Sequence, residues 1–212
     1  MSMYNLSKKG YTIHIRINKV HNQIRLKIKW GNKMIKTYKL FRVKNGKLYP
    51  LFVLADKETP FNKWLDAEEG ETKETGKVKS RLGDLAYRPG WHSSALPLAT
   101  HIGQKVNGEI KYMHDNHVWV ECYINNTVDY QNEAKSKGKS PKNQYLKRIP
   151  VNGFYTYKTN PNMFGNWFIS GEIKLNRVLS DQEVEQILKE NGLSPLPRKG
   201  EYPVLNKDYF VA

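Results

Sequence analysis

Acidic residues are missing from the first quarter of the chain. Residues 1–55 contain Lys8, Lys9, Arg16, Lys19, Arg25, Lys27, Lys29, Lys33, Lys36, Lys39, Arg42, Lys44 and Lys47, and no Asp or Glu. Those residues carry nearly all of the formal net charge of +15, and the remainder of the chain is close to neutral. An asymmetry of this kind points to a segment that faces a polyanion, with nucleic acid the first choice and lipid headgroups the second. Cysteine is almost absent. The single Cys122 excludes an intramolecular disulfide and a cysteine-rich zinc site, and it fits a reducing, cytoplasmic compartment. No apolar run approaches the roughly 18 residues of a membrane span, so membrane insertion is not expected. Met1 to Gly10 lacks the apolar core of a signal peptide.

What is present suits a folded domain. At 212 residues, with 39% hydrophobic and 12% aromatic residues, the chain has enough apolar material for a core. Tyr11, Ile13, Ile15 and Ile17 alternate with polar residues, and Ile24, Leu26, Ile28 and Trp30 repeat the pattern. Period-two alternation predicts two half-buried strands joined through Asn18 to Gln23. The outward face of this hairpin carries Arg16, Arg25, Lys27 and Lys29, which suits contact with a phosphate backbone. Lys36 to Val43 and Lys47 to Leu54 read as strands around Asn45-Gly46, a strong hairpin signal. Residues 55–86 turn polar, and a short helix near Asn62–Glu69 followed by a mobile loop is expected. The acids Asp66, Glu68, Glu69, Glu71 and Glu74 read as a solvated surface or as a mask for the basic ribbon.

Further strands are expected at Glu109–Met113 and Val118–Ile124 around His114-Asp115-Asn116-His117, and at Tyr145–Val151 and Phe154–Lys158 around Asn152-Gly153. Residues 125–143 read as a long loop, and residues 166–177 as strand. Ser180-Asp-Gln-Glu183 is a capping box that opens a helix with Val184, Ile187 and Leu188 on one face and Gly192 at its end. The tail returns as an extended segment, with Val204–Val211 an edge strand. The whole is an α+β chain with a mostly antiparallel β core, a basic N-terminal β-hairpin over residues 1–33, and a domain over residues 34–212 that ends in an α-helix.

Chemistry concentrates in Tyr87 to Gly103, where Arg88, Trp91, His92, Ser93, Ser94 and His101 follow a Pro89-Gly90 bend. A loop on a rigid scaffold is where sites tend to be built. Other groupings of reactive side chains carry weaker signals. His101, His114, Asp115, His117, Glu121 and Cys122 are metal-ligand types, but one His-x-x-His on a turn falls short of a site, and no metal is expected. Glu172-Ile-Lys174 resembles the paired carboxylate and lysine of metal-dependent nucleases but lacks a clear upstream aspartate. His92 directly before Ser93 has the wrong geometry for a triad. Cys122, within an apolar run, reads as packing.

The chain order is an arginine on an early strand (Tyr38-Lys-Leu-Phe-Arg42-Val), then His92-Ser93-Ser94, then a loop and strand from Asn160 to Glu172. This order resembles ADP-ribosyltransferases of the arginine–serine–glutamate type. The resemblance implies a compact, mostly antiparallel β fold and NAD as cofactor. It assigns Glu172, Ser93 and His92 to catalysis and Arg42, Arg88, Trp91 and Ser94 to the dinucleotide. The glutamate would steady the sugar cation formed as nicotinamide leaves, and an arginine would grip phosphate. Tyr87-Arg-Pro-Gly-Trp-His92 and Phe164-Gly-Asn-Trp167 also look similar to uncharacterised modules of polyvalent proteins from phages and mobile elements. Two expectations follow. One is a transferase acting on a nucleic-acid or protein target. The other is a non-catalytic nucleic-acid-binding or host-interaction module.

Overall fold

The computed structural model describes residues 3–8, 11–16, 27–28 and 34–210, the first three segments as backbone only. The chain divides into two units, Met1–Lys33 and Met34–Ala212. In the first, β1 (Met3–Lys8), β2 (Tyr11–Arg16) and β3 (Lys27–Ile28) form an antiparallel sheet in that order. The register pairs Met3 with Arg16 and Ile13 with Ile28. Strand β1 has no clear sequence signal and completes a three-stranded sheet where a two-stranded hairpin was expected. Arg25 and Lys29 lie outside the described residues. Arg16 and Lys27 are described only by their strand positions.

The second unit is mostly β. Strand β4 (Met34–Lys44) turns at Asn45 and Gly46, whose φ values of 51° and 74° give the hairpin its left-handed turn, into β5 (Lys47–Tyr49). Pro50 has no N–H for the ladder, so the strand expected to reach Leu54 stops early. Then follow β6 (Trp64–Asp66), β7 (Lys77–Ser80), β8 (Gly83–Ala86) and β9 (Trp91–Ser94). Next are β10 (Gln104–Val106), β11 (Glu109–Tyr112), β12 (His117–Asn125) and β13 (Val128–Asp129). After helix α1 (Gln131–Ser136) come β14 (Gly153–Tyr157), β15 (Trp167–Ser170), β16 (Glu172–Val178) and helix α2 (Asp181–Glu190). The main sheet runs β13-β14-β15-β9-β4-β12-β16-β6, with β5 also on β4, and every pairing but β13 with β14 is antiparallel.

This sheet is rolled. Laid flat, β15 and β16 would stand roughly 19 Å apart, four spacings of the sheet. Only Gly171 separates them in the chain. The strand therefore bends at Gly171 and passes from one side of the sheet to the other. There the Gly171 N–H donates to the Gly153 carbonyl (3.0 Å) and the Ala67 N–H donates to the Gly171 carbonyl (2.7 Å), which brings the two ends of the sheet together. A Cβ at Gly171 would lie 2.3 Å from the Pro150 carbonyl oxygen, so the corner requires glycine.

The roll has two apolar sides. Phe41, Val118, Val120, Cys122, Ile124, Phe168, Ile173 and Leu175 pack on one side, with Trp91, Phe154 and Leu65 against them. Tyr38, Leu40, Trp119 and Trp167 face the other way, under Val184 and Leu188 of α2 and under Leu98 and Met163. Central β12 is buried from both sides, which explains its nearly continuous apolar sequence, His-Val-Trp-Val-Glu-Cys-Tyr-Ile.

Several sequence expectations give way to long-range pairing. Residues 62–69 form no helix, because Trp64–Asp66 pairs with the edge of β16. Residues 77–86 form a hairpin in place of a loop. The acids there find local lysines: Glu68 with Lys57, Glu71 with Lys79 (3.2 Å) and Asp84 with Lys73 (2.8 Å). Strand β11 pairs back with β10 and not across the His114–His117 turn to β12. Residues 145–149 are not strand, and Gly153 opens β14 against β15. The expected loop over 125–143 contains α1, seated by buried Ala134 and by Asp129, whose carboxylate accepts from the Gln131 N–H (2.8 Å). The expected C-terminal strand is instead an extended run ending in a 3-10 turn at Lys207–Phe210, with the Asn206 N–H on the Gly46 carbonyl.

Helix α2 follows its sequence. Ser180 accepts from the Glu183 N–H (3.2 Å), and Glu183 accepts from the Ser180 N–H (2.8 Å). Gly192 at φ 70° lets the Leu193 N–H reach the Leu188 carbonyl. Ser180→Ala is expected to cost about 1 kcal/mol, read as a shift in the urea midpoint at unchanged slope.

Candidate ligand site where two strands part

Strands β4 and β9 share one register pair, Tyr38 with Ser94. Beyond it they diverge, because the edge of β4 from Arg42 onward is taken by β5. The parting strands leave a cavity of about 590 Å³. Leu40 and Lys39 line it from β4, and Trp91 and His92 from β9. Trp64, Tyr157, Trp167, Arg88 and His101 close its sides.

Parity along β4 sets up the most unusual member. Ile35, Lys39, Phe41 and Val43 share one side of the strand, and Lys39 stands opposite Val120 of β12. A lysine is thus directed into the roll. Its Nζ donates to the His92 carbonyl (2.9 Å), a carbonyl freed by the parting of the strands. The ammonium lies 5.4 Å from the Phe41 ring centre and 5.5 Å from that of Trp91. Burial lowers its pKa to about 8, opposed by the field of Cys122.

His92 has a defined tautomer. Its Nε2 lies 2.9 Å from the Arg88 carbonyl, which only accepts, so Nε2 carries the proton. Nδ1 then accepts from the Tyr157 hydroxyl at 2.8 Å. Burial brings the His92 pKa down to about 4, with Lys39 and Arg88 adding to the effect against the Arg88 carbonyl bond. Burial also pushes the Tyr157 hydroxyl well above its ordinary range. His101, edge-on to Trp167 at 4.8 Å, is lowered to about 4 by burial, and its Nδ1 has no partner. At neutral pH the cavity therefore presents two neutral imidazoles and a protonated phenol. Its cations are unevenly engaged. Lys57 pairs with Glu68, and Glu58 with Lys47 (2.9 Å). Lys39, Lys63 and Arg88 have no carboxylate partner among the described residues, and the Arg88 Nε is unbonded.

Of the residues singled out from sequence, Arg88, Trp91 and His92 line this cavity. Trp91 is fixed by its indole N–H on the Leu65 carbonyl (3.0 Å), and Arg88 stacks over Tyr145 and reaches the Lys142 carbonyl. Ser94 is buried and donates to the Leu96 carbonyl (2.6 Å), a structural bond at the seam. Ser93 is fully buried on the inner side with an unpartnered hydroxyl. Arg42 and Glu172 are elsewhere. Arg42 pairs in register with His117, whereas Glu172 precedes Ile173, the partner of Ile124, which in turn faces Ile35. About eight residues of strand, some 26 Å, separate the two positions along the sheet. Arg42 donates to the Ala55 carbonyl (2.6 Å), and Glu172 accepts from the Asn125 side-chain amide (3.0 Å). The arginine, serine and glutamate do not meet in one cleft.

The basic first quarter divides as well. Lys36 approaches Glu121, Lys39 is internal, Arg42 is bonded to backbone and Lys47 holds Glu58. No group of three metal-ligating side chains occurs among the described residues. Cys122 is buried, and burial pushes its thiol up out of the reactive range. No helix among the described residues is long and apolar enough to cross a membrane.

Sequence reading passed over Lys39, Tyr157 and the exposed indole of Trp64. A partial signal for Lys39 existed: it is the one charged residue among Ile35, Thr37, Lys39, Phe41 and Val43, which share a face of β4. Nothing local marks Tyr157, which reaches His92 only through the pairing of β14, β15 and β9. No protein-family model, no curated protein and no solved structure matches the chain.

Proposed function

We propose that the unit over residues 34–212 binds a small molecule with a flat ring and an anionic group in the cavity between β4 and β9. The observation that carries this reading is the lining itself, in which three tryptophans stand with three cations that have no carboxylate partner, against one unpaired carboxylate, Asp66. Aromatic faces favour a flat ring, and Lys39, Lys63 and Arg88 favour negative charge. NAD and its mononucleotide halves belong to this class, and the resemblance in residue order makes them the first ligands to try. Transfer chemistry on Arg42, Ser93 and Glu172 gains nothing from this geometry, because the register keeps Arg42 far from Glu172. Binding is measured by quenching of tryptophan fluorescence. Trp91→Ala is expected to weaken the best ligand by roughly three- to tenfold, the loss of one packed aromatic contact. Flat titrations with nucleotides and aromatic carboxylates to millimolar concentration would overturn the reading.

A second reading rests on the Met1–Lys33 unit, which carries Lys8, Lys9, Arg16, Lys19, Arg25, Lys27, Lys29 and Lys33 without an acid. It is proposed to contact the phosphate backbone of nucleic acid. If about five of these cations neutralise phosphates of duplex DNA, log K falls against log salt with a slope near −4.5. A slope near zero, measured by fluorescence anisotropy between 50 and 200 mM salt, contradicts it.

A further inference from the structure

We propose that the Nζ of Lys39 is the reacting group of the seam cavity, forming a Schiff base with an aldehyde-bearing ligand whose flat ring the cavity holds. The inference rests on the ligand reading above and assigns that ligand a functional group.

The position of Lys39 is hard to explain as structure alone. Its one hydrogen bond serves the His92 carbonyl, a task that a neutral donor performs without half-burying a cation. No carboxylate balances it among the described residues. The titratable groups nearest it are Cys122 on β12, His92 on β9 and, beyond His92, Arg88. Across the cavity stand Tyr157, His101, Lys57, Lys63, Glu58, Asp66 and Glu68, of which Glu58 and Glu68 are paired with other lysines. The thiol and the imidazole are neutral at ordinary pH, and Arg88 is cationic. The surroundings thus favour the uncharged amine, the form that attacks carbonyl carbon. The residue also lines the cavity, so the amine is reachable by a ligand.

The step balances without an oxidant or a further reactant. The amine lone pair adds to the carbonyl carbon, and a proton passes from nitrogen to oxygen to give a carbinolamine. Loss of water leaves the imine. Once protonated, the imine nitrogen keeps one N–H, which can continue to serve the His92 carbonyl that Lys39 serves now.

The probe is 4-carboxybenzaldehyde, a flat ring with one carboxylate and one aldehyde, added to the full chain with sodium cyanoborohydride. Intact mass and peptide mapping locate the reduced adduct. Among the lysines, the first label is expected on Lys39, at a rate at least roughly tenfold above any other lysine. The α-amino group, which ordinarily titrates near 8, is counted apart in the peptide map. The Lys39 rate is expected to reach half its maximum near pH 8. Terephthalate, which has the carboxylates and no aldehyde, is expected to slow it. Lys39→Arg is expected to lose the first equivalent, and mapping the wild-type protein gives the same answer if that variant does not fold. Label spread evenly over exposed lysines, or label on Lys39 that terephthalate does not slow, overturns the proposal. Tryptophan quenching by terephthalate with Lys39 unlabelled overturns the imine and leaves the ligand reading standing. Absence of both quenching and label removes both.

Discussion

Between pH 6.5 and 4.5 the protein is expected to lose most of its folding stability. His92 and His101 are lowered to about 4 and His117 to about 3, against an ordinary value of 6.5. Burial is the leading cause in each, and His117 also faces His114, Arg81, Arg198 and Arg42. The unfolded chain therefore takes up protons at a higher pH than the folded one. Stability is full above 6.5 and is lost as pH falls toward the folded values. At pH 4.5 His92 and His117 each remove up to about 2.5 kcal/mol, and the partly exposed His101 less, because solvent screens it. The sum is comparable with the 5–15 kcal/mol that typically holds a domain. Glu109 and Glu183 are shifted below their ordinary value of 4.5, so their contribution is lost mainly below this window. Urea unfolding at pH 7.0, 5.5 and 4.5 reads the effect. Equal stabilities at the three values would mean that the imidazoles are solvated in the folded protein.

The second large effect is expected at Arg198. Its guanidinium, nearly inaccessible to solvent, makes a two-pronged contact with Asp181 at 2.8 and 3.0 Å. It also donates to the backbone carbonyls of His114 (3.2 Å), Asp115 (2.5 Å) and His117 (2.8 Å) and stacks on Tyr202. One side chain thus joins the first turn of α2, the entry to β12 and the C-terminal segment. Asp181 is partly exposed and can rehydrate, but the carbonyls lose their donors. Arg198→Ala is expected to cost about 3 kcal/mol, and Arg198→Lys most of that, since an ammonium cannot reproduce the fork. Thermal unfolding of both variants checks this. A lysine variant as stable as the wild type would show that charge alone matters at this position.

Legibility from sequence followed the range of the interaction. Helix α2 was readable because Ser180, Glu183 and Gly192 act on backbone groups within one turn. The turn at Asn45-Gly46 was readable for the same reason. Residues 62–69 depart from the expected helix because their partner, β16, lies more than a hundred residues away and no local pattern announces an edge position. The His114–His117 turn has the sequence of a hairpin but is none, because adjacency in the chain is not pairing and β12 has a nine-residue partner in β4. The site followed the same rule. Arg88, Trp91 and His92 drew notice through the Pro89-Gly90 bend and do line the cavity. The order of Arg42, Ser93 and Glu172 gave no distance, and the register set Arg42 far from Glu172.

The sequence by itself determined the mostly β character of the chain, the capped helix and the acid-free basic segment at the start. All three depend on composition or on spacings of a few residues. Only the tertiary structure decided that the sheet rolls at Gly171, that β4 and β9 part after one pair, and that Lys39 points into the space between. A lysine on an alternating strand has two sides available, and the choice falls to whichever strands pair on either side. That choice is made by the whole sheet.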